Sequence, residues 1–114
     1  MKTYLFTTVT IMKDDNYWID KDFVKKICIQ SENIEKGLIN YVENHCKECY
    51  VNVTKNALKN KQPIYRDLEN NESVQVGYVI TASTELENAE CKWVKKYIEL
   101  WIEIEEIKNP FNIE

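Results

Sequence analysis

The chain has 114 residues, 44% of them hydrophobic, and a formal net charge of −4. It is long enough for one domain and too short for two, and too apolar to be disordered. No apolar run approaches the roughly 18 residues that cross a bilayer, and no small-residue cleavage site follows the N-terminus, so the sequence predicts neither a membrane span nor a signal peptide. We expect one cytoplasmic domain over residues 1–114, with a short disordered tail over about 109–114.

The charge distribution argues against nucleic acid and membrane partners. Residues 1–84 carry 11 acidic and 11 basic side chains, whereas residues 85–114 carry 8 acidic and 4 basic ones, so the whole negative excess lies in the C-terminal part. Arg66 is the single arginine of the sequence. Arginine supplies the planar fork that recognises phosphates and base edges, and an anionic membrane repels an acidic chain. The sequence therefore predicts no nucleic acid and no membrane partner.

The N-terminal third predicts a β-hairpin. Tyr4 to Met12 alternates between two faces and is rich in β-branched and aromatic residues, which favours a strand. Phe23 to Gln30 alternates as well and is predicted to be the second strand of the hairpin. A short helix capped by Asp20 is the alternative for this second segment.

A long helix is predicted next. Ser31 or Asn33 can cap its N-terminus, and apolar residues then recur at steps of three and four over about residues 33–60. Residues 50–54 are weak helix formers, so a break or a short strand at that point is an open alternative. Pro63 ends the segment.

The C-terminal part predicts a loop and two strands. Ile64 to Ser73 is predicted to be the loop, and Val74 to Thr84 alternates as a strand before a turn at residues 85–90. The clearest pattern of the chain is a strand over about Lys96–Ile107. One of its faces is wholly apolar, with Ile98, Leu100, Ile102 and Ile104, and the other carries Tyr97, Glu99, Trp101, Glu103 and Glu105.

The predicted order is thus β-β-α-β-β, in a single small α+β domain. Its simplest layered form is an antiparallel sheet with one long helix packed on one face. The helix stripe would pack on the apolar face of the C-terminal strand. This packing covers one face of the sheet and does not say what covers the other.

That opposite face is the candidate partner-binding surface. Large aromatics on an exposed sheet face are typical of contact surfaces, since Trp and Tyr supply area at low entropic cost. Its predicted members are Tyr97, Glu99, Trp101, Glu103 and Glu105, together with Tyr4 and Phe6 if these lie on the same side. The alternative is that segment 13–22, with Tyr17 and Trp18, folds over the face as a second small core.

A zinc site is a further candidate. Cys46 and Cys49 form a C-x-x-C pair next to His45, and Cys28 or Cys91 would complete four ligands. Structural zinc sites usually contain two such pairs, and cysteine is often buried as a small apolar residue. A redox role would need the first cysteine at a helix N-terminus, which the predicted helix does not provide. We expect no cofactor.

Clustered carboxylates offer a third hypothesis, a small enzyme. The pairs are Asp14 with Asp15, Asp20 with Asp22, Glu99 with Glu103, and Glu105 with Glu106. Acid–base catalysis needs one member with a pKa raised by burial, and nothing in the sequence indicates burial, so a solvated face is the simpler interpretation.

The sequence therefore predicts a non-enzymatic protein that binds a protein partner, or a second copy as a homodimer, through an acidic aromatic face. An inhibitor that imitates nucleic acid, such as a phage counter-defence protein, is one form of this hypothesis. Heavy use of Asn, Lys, Ile and Glu is typical of AT-rich genomes and favours a bacterial or phage origin. The alternatives are a zinc-stabilised domain and a small carboxylate enzyme.

Overall fold

All strands that the structure describes join one antiparallel sheet. The computed structural model describes residues 1–12, 17–18, 26–87 and 89–108. Within these ranges the strands are β1 Lys2–Met12, β2 Tyr17–Trp18, β3 Lys26–Ser31, β4 Val51–Asn52, β5 Gln62–Asp67, β6 Ser73–Glu87 and β7 Trp93–Ile107. The helical segments are α1 Ile34–Asn40, a π-helical turn Tyr41–Cys46, and α2 Lys55–Lys59. None of the described helices is long and apolar enough to span a membrane.

Strand β7 is the centre of the sheet. Its residues 98–107 pair with residues 3–12 of β1, and its residues 93–103 pair with residues 77–87 of β6. The far edge of β1 is shared by β3 and β2, one after the other. The far edge of β6 is shared in the same way by β5 and β4. Two long strands therefore flank the central one, and short strands complete both edges.

One face of this sheet forms the core. Ile98, Leu100 and Ile102 of β7 are fully buried there, as the alternation of the sequence predicts. Buried residues of the helical segments belong to the same core cluster. The buried residues that these segments and the start of β4 contribute are Leu38, Tyr41, Val42, Cys46 and Val51.

Tyr41 joins the helical cover to the sheet. Its ring stacks on that of Phe6, with ring centroids 4.9 Å apart and the planes 10° from parallel. Its hydroxyl is hydrogen-bonded to the hydroxyl of Thr8, which is also buried. Burial raises the pKa of Tyr41 well above its ordinary value, although the Thr8 hydrogen bond works in the opposite direction. An aromatic stack and a satisfied buried hydroxyl thus fix one point of the interface between helix and sheet.

The predicted α+β fold with one long helix on a sheet is wrong. Strands make up 58% of the structure and helical segments 22%, and the sheet is curled. The helical run that starts at Ile34 ends before Tyr50, which adopts a left-handed φ of 60°. The carbonyl oxygen of Tyr50 accepts a hydrogen bond from the Thr84 hydroxyl, 3.0 Å away. The next two residues pair with β6 as β4, so the short strand left open for this region is confirmed.

The predicted loop from Ile64 to Ser73 is also wrong in its first half. Residues 62–67 form β5 and pair with β6. Pro63 is tolerated because it lies near the start of a strand at the sheet edge. The turn is shorter than predicted and is closed by a 2.7 Å hydrogen bond from the Leu68 amide to the Glu72 carbonyl. The predicted strands at β1, β6 and β7 are confirmed, as is the described part of the second hairpin strand, which forms β3.

Gly77 lies where the backbones of β6 and β7 approach each other closely. A Cβ atom at this position would lie 1.8 Å from the carbonyl oxygen of Ile102. The pairing register of β5 shifts between Ile64 and Tyr65, directly beside Gly77. A glycine is therefore required by the backbone of the neighbouring strand rather than by its own dihedral angles.

We expect Gly77→Ala to lower the free energy of unfolding by about 3 kcal/mol, because the β7 backbone must move to admit the methyl group. Gly37→Ala is the matched control. There an added Cβ would lie 3.4 Å from its nearest neighbours and the residue is helical, so the change should stay within about 1 kcal/mol. Urea denaturation of both variants measures the difference. Equal effects of the two substitutions would contradict the close approach.

Removing the Tyr41 hydroxyl should show how much its hydrogen bond with Thr8 contributes to the free energy of unfolding. Tyr41→Phe keeps the stack on Phe6 but leaves the Thr8 hydroxyl buried without its partner, at a cost of about 1–3 kcal/mol. Thr8→Val in the same chain should recover most of this loss, because both polar groups are then gone. A double-mutant cycle from urea denaturation measures the coupling, and strictly additive effects would contradict it.

Candidate functional site

The aromatic row is the most prominent feature on the outer face, which we define as the sheet face opposite the core. It consists of Trp93, Tyr97 and Trp101, whose exposed fractions are 68%, 49% and 40%. All three belong to β7 and are spaced four residues apart, so they share one face. At about 3.3 Å per residue, neighbouring members lie roughly 13 Å apart. The row therefore runs along most of the length of the central strand.

Trp101 lies in the part of β7 that is paired with a strand on each side. Its neighbours across the strands are Val9 of β1 and Val79 of β6. An apolar surface depression of about 510 Å³ lies against it. The residues bordering this depression are Thr7, Val9, Ile11, Ile64, Trp101 and Glu103. The backbone under this end of the row is held on both sides, so the indole is presented from a fixed position.

Charged side chains alternate with the aromatic row. The Lys95 ammonium lies 5.5 Å from the centre of the Tyr97 ring, a cation–π contact. The Trp101 indole Nε1 donates to Glu99 Oε1 at 3.4 Å. Glu103 accepts a hydrogen bond from the Arg66 guanidinium at 3.3 Å. All three rings nevertheless remain partly exposed.

The structure brings together five of the seven residues that the sequence placed on the contact face. Tyr97, Glu99, Trp101, Glu103 and Glu105 alternate along one side of β7, with exposed or half-buried side chains. Trp93 extends the same alternation. It is not among the seven predicted contact residues, although its position in the period-two pattern places it on the same face. Its 68% exposure makes it the most accessible ring of the row.

Tyr4 and Phe6 do not lie on this face, contrary to the expectation that they share it. They are 2% and 0% exposed and belong to the core. The register explains this, because Phe6 pairs with Ile104, whose side chain points to the core face. Leu5, Val9 and Ile11 of β1 take the outer face instead, which makes that face more apolar than the sequence suggested.

Part of the predicted surface chemistry lies outside the described residues. Asp14, Asp15, Asp20 and Asp22 fall there, as does most of segment 13–22. Within that segment, residues 17–18 are described as the short strand β2, paired with residues 11–12 at the edge of the sheet. The hypothesis of a second small core over the outer face stays a prediction.

The candidate zinc ligands are spread over the molecule. Cys46 is fully buried in the core, whereas Cys28 and Cys91 are exposed, and all four cysteines are free thiols. The ring of His45 lies 6.2 Å from that of Tyr41, centre to centre. Among the described residues, no group of three or more His, Cys, Asp or Glu side chains is placed to hold a metal ion. The described geometry therefore offers no assembled zinc site.

The surroundings of the C-x-x-C pair raise the pKa of both thiols. Burial, followed by the charge of Cys49, raises the pKa of Cys46 from its ordinary value near 9 to about 12. Burial and the nearby Glu48 carboxylate also raise the pKa of Cys49. Redox chemistry and metal ligation both use the thiolate, which this environment disfavours. The pair instead contributes a small apolar group to the core at Cys46.

A second surface depression, of about 840 Å³, lies beside β4 and has a mixed polar and apolar lining. Three lysines and two glutamates contribute to its lining: Lys47, Lys55, Lys95, Glu43 and Glu85. Because positive and negative groups are mixed, the depression does not select an anion or a cation by its charge. The outer face is the stronger candidate site, since it carries three exposed rings and an apolar depression on the central strand of the sheet.

Comparison of the chain with protein-family models, with curated proteins and with solved structures found no match. The candidate site is therefore argued from its own geometry.

The raised pKa of Cys46 predicts a pH-dependent stability. An acid whose pKa is higher in the folded state stabilises the fold at low pH, and this contribution declines once the unfolded chain ionises first. The stabilisation that Cys46 adds relative to Cys46→Ala should therefore fall between pH 9 and about 12, by at most ~1.4 kcal/mol per pH unit.

Urea denaturation over this alkaline range, under reducing conditions, checks the slope. Cys91→Ala removes an exposed thiol and serves as the matched control, with the wild-type profile expected. A difference between wild type and Cys46→Ala that does not change with pH would contradict the buried neutral thiol.

Proposed function

We propose that this chain is a non-enzymatic protein-binding protein whose outer face is the contact surface. The observation that carries the proposal is the aromatic row, three exposed rings along the central strand of the sheet. The core is built from the other face of the same strand, so these rings are not needed to complete it. Exposed aromatics that share one face are typical of protein interfaces.

The geometry around Trp101 suits a binding hot spot. Tryptophan and tyrosine contribute most of the binding energy in many interfaces, above all near the centre of an apolar patch. The indole is flanked by Val9 and Val79 and bonded to Glu99, so little conformational entropy remains to be lost on binding. The apolar depression beside it offers a cavity for a partner side chain.

The carboxylates of the outer face support binding rather than catalysis. Glu99 and Glu103, the pair considered for acid–base chemistry, are engaged by the Trp101 indole and by Arg66. The side chain of Glu103 is 54% exposed. A catalytic carboxylic acid at neutral pH requires burial or a close like charge. We therefore assign these glutamates to charge complementarity with a partner.

Trp101→Ala is the direct test of the proposal. Removing a tryptophan that acts as a hot spot should cost about 2–4 kcal/mol of binding free energy, which corresponds to a loss of roughly 30- to 1,000-fold in affinity. A photo-crosslinking residue at position 97 would first trap the bound protein, whether foreign or a second copy. Titration calorimetry of the purified pair, or sedimentation equilibrium for self-association, then gives the affinity.

Ile39 supplies the matched control, because it is an exposed apolar residue at 40% and lies on α1 rather than on the sheet. Ile39→Ala should leave the affinity unchanged, and a crosslinker at position 39 should trap nothing specific. Circular dichroism establishes that each variant is folded. Unchanged affinity in a folded Trp101→Ala variant would show that the outer face is not the contact surface.

A further inference from the structure

The outward-facing residues of β7 follow a symmetrical order. From residue 93 to residue 101 they are Trp93, Lys95, Tyr97, Glu99 and Trp101. Tyr97 is the centre of this run, with one tryptophan four residues away on either side. The residues two positions away on either side carry opposite charges. Counted from Tyr97 toward either end, the aromatic positions are therefore the same. The two charged positions are also the same, but their charges have opposite signs.

We propose that the outer face binds a second copy of this chain about a two-fold axis level with Tyr97. The axis lies between the two sheets, at right angles to β7, so that the two β7 strands run antiparallel. Lys95 of each copy then faces Glu99 of the other, and Trp93 faces Trp101. The inference rests on the proposed function, because it uses the same face and names its occupant.

The self-complementarity comes from charges that the monomer leaves available. Among the described residues, Lys95 contacts the Tyr97 ring and Glu99 contacts the Trp101 indole, and neither has an ion-pair partner. Both residues belong to the outward-facing alternation of β7. A two-fold interface uses one patch twice, so a single favourable contact between positions 95 and 99 occurs twice.

The charges also fix the orientation of the two copies. A two-fold axis parallel to β7 would place Lys95 against Lys95 and Glu99 against Glu99, and facing like charges are unfavourable. A shift of the antiparallel register by one outward residue would place both charges against aromatic rings and leave them unpaired. The antiparallel arrangement centred on Tyr97 pairs both charges and both tryptophans at once.

The contact area indicates a dimer that dissociates on dilution. The exposed parts of the three rings amount to roughly 400 Å² per copy, using typical side-chain areas for Trp and Tyr. That is about half of the roughly 800 Å² per partner in a standard interface. Val9 and Val79, next to Trp101, extend the apolar area toward the ends of the contact.

Charge reversal provides the test. Lys95→Glu and Glu99→Lys should each weaken dimerisation at least tenfold in sedimentation equilibrium, because each places two like-charged pairs in the interface. The variant with both substitutions should regain dimerisation to within a few-fold of wild type, since the charges have only exchanged places. A mixture of the two single variants should form a heterodimer, because each then meets its opposite charge.

Lys59→Glu and Glu48→Lys, at exposed positions away from the outer face, change the net charge by the same amounts and should leave the dimer intact. A wild-type chain that is monomeric at every concentration, or a double variant as weak as the single ones, would overturn the two-fold arrangement. A crosslinker at position 97 could then trap a foreign protein whose binding is abolished by Trp101→Ala. In that case the proposed function stands, and only the proposal that the occupant is a second copy is wrong.

Discussion

The pairing of β7 with a long strand on each side is the constraint on which the rest of the structure depends. Residues 98–103 of this strand are held by β1 and by β6 at once, so their side chains have two fixed directions. One direction sends Ile98, Leu100 and Ile102 into the core. The other direction sends Trp101 and its neighbouring glutamates outward. The core and the candidate site are therefore two consequences of one backbone arrangement.

The helical cover is adapted to a curled sheet rather than to a flat one. A straight helix of 28 residues, which the stripe over 33–60 predicts, would extend about 42 Å. The chain instead turns back at Tyr50, pairs two residues with β6 and continues as a short helix. Tyr41 provides the anchor for this cover, because it packs on Phe6 and satisfies its hydroxyl at Thr8.

The sequence predicts β7 well because its two faces differ in character, one aliphatic and the other aromatic and acidic. It cannot orient β1 in the same way, since Tyr4 and Phe6 on one face are as apolar as Val9 and Ile11 on the other. Only the register with β7 decides which face is buried. The strand β5 is missed for a related reason, because an edge strand with one half-buried residue, Ile64, has no alternation to detect. The weak helix propensity of residues 50–54 indicates the break in the helix, but the left-handed backbone of Tyr50 that makes the turn has no signal in its residue type.

The two faces of β7 belong to different parts of the structure, the core on one side and the candidate site on the other. A substitution on the inner face alters core packing, whereas one on the outer face alters a surface whose side chains touch little of the core. Substitutions in the aromatic row should therefore affect core packing less than substitutions at Ile98, Leu100 or Ile102. Conversely, the rigidity that the core gives to β7 holds the spacing of Trp93, Tyr97 and Trp101 fixed. A pattern of rings and charges on a fixed spacing is what a two-fold contact needs, because its two halves must match without adjustment.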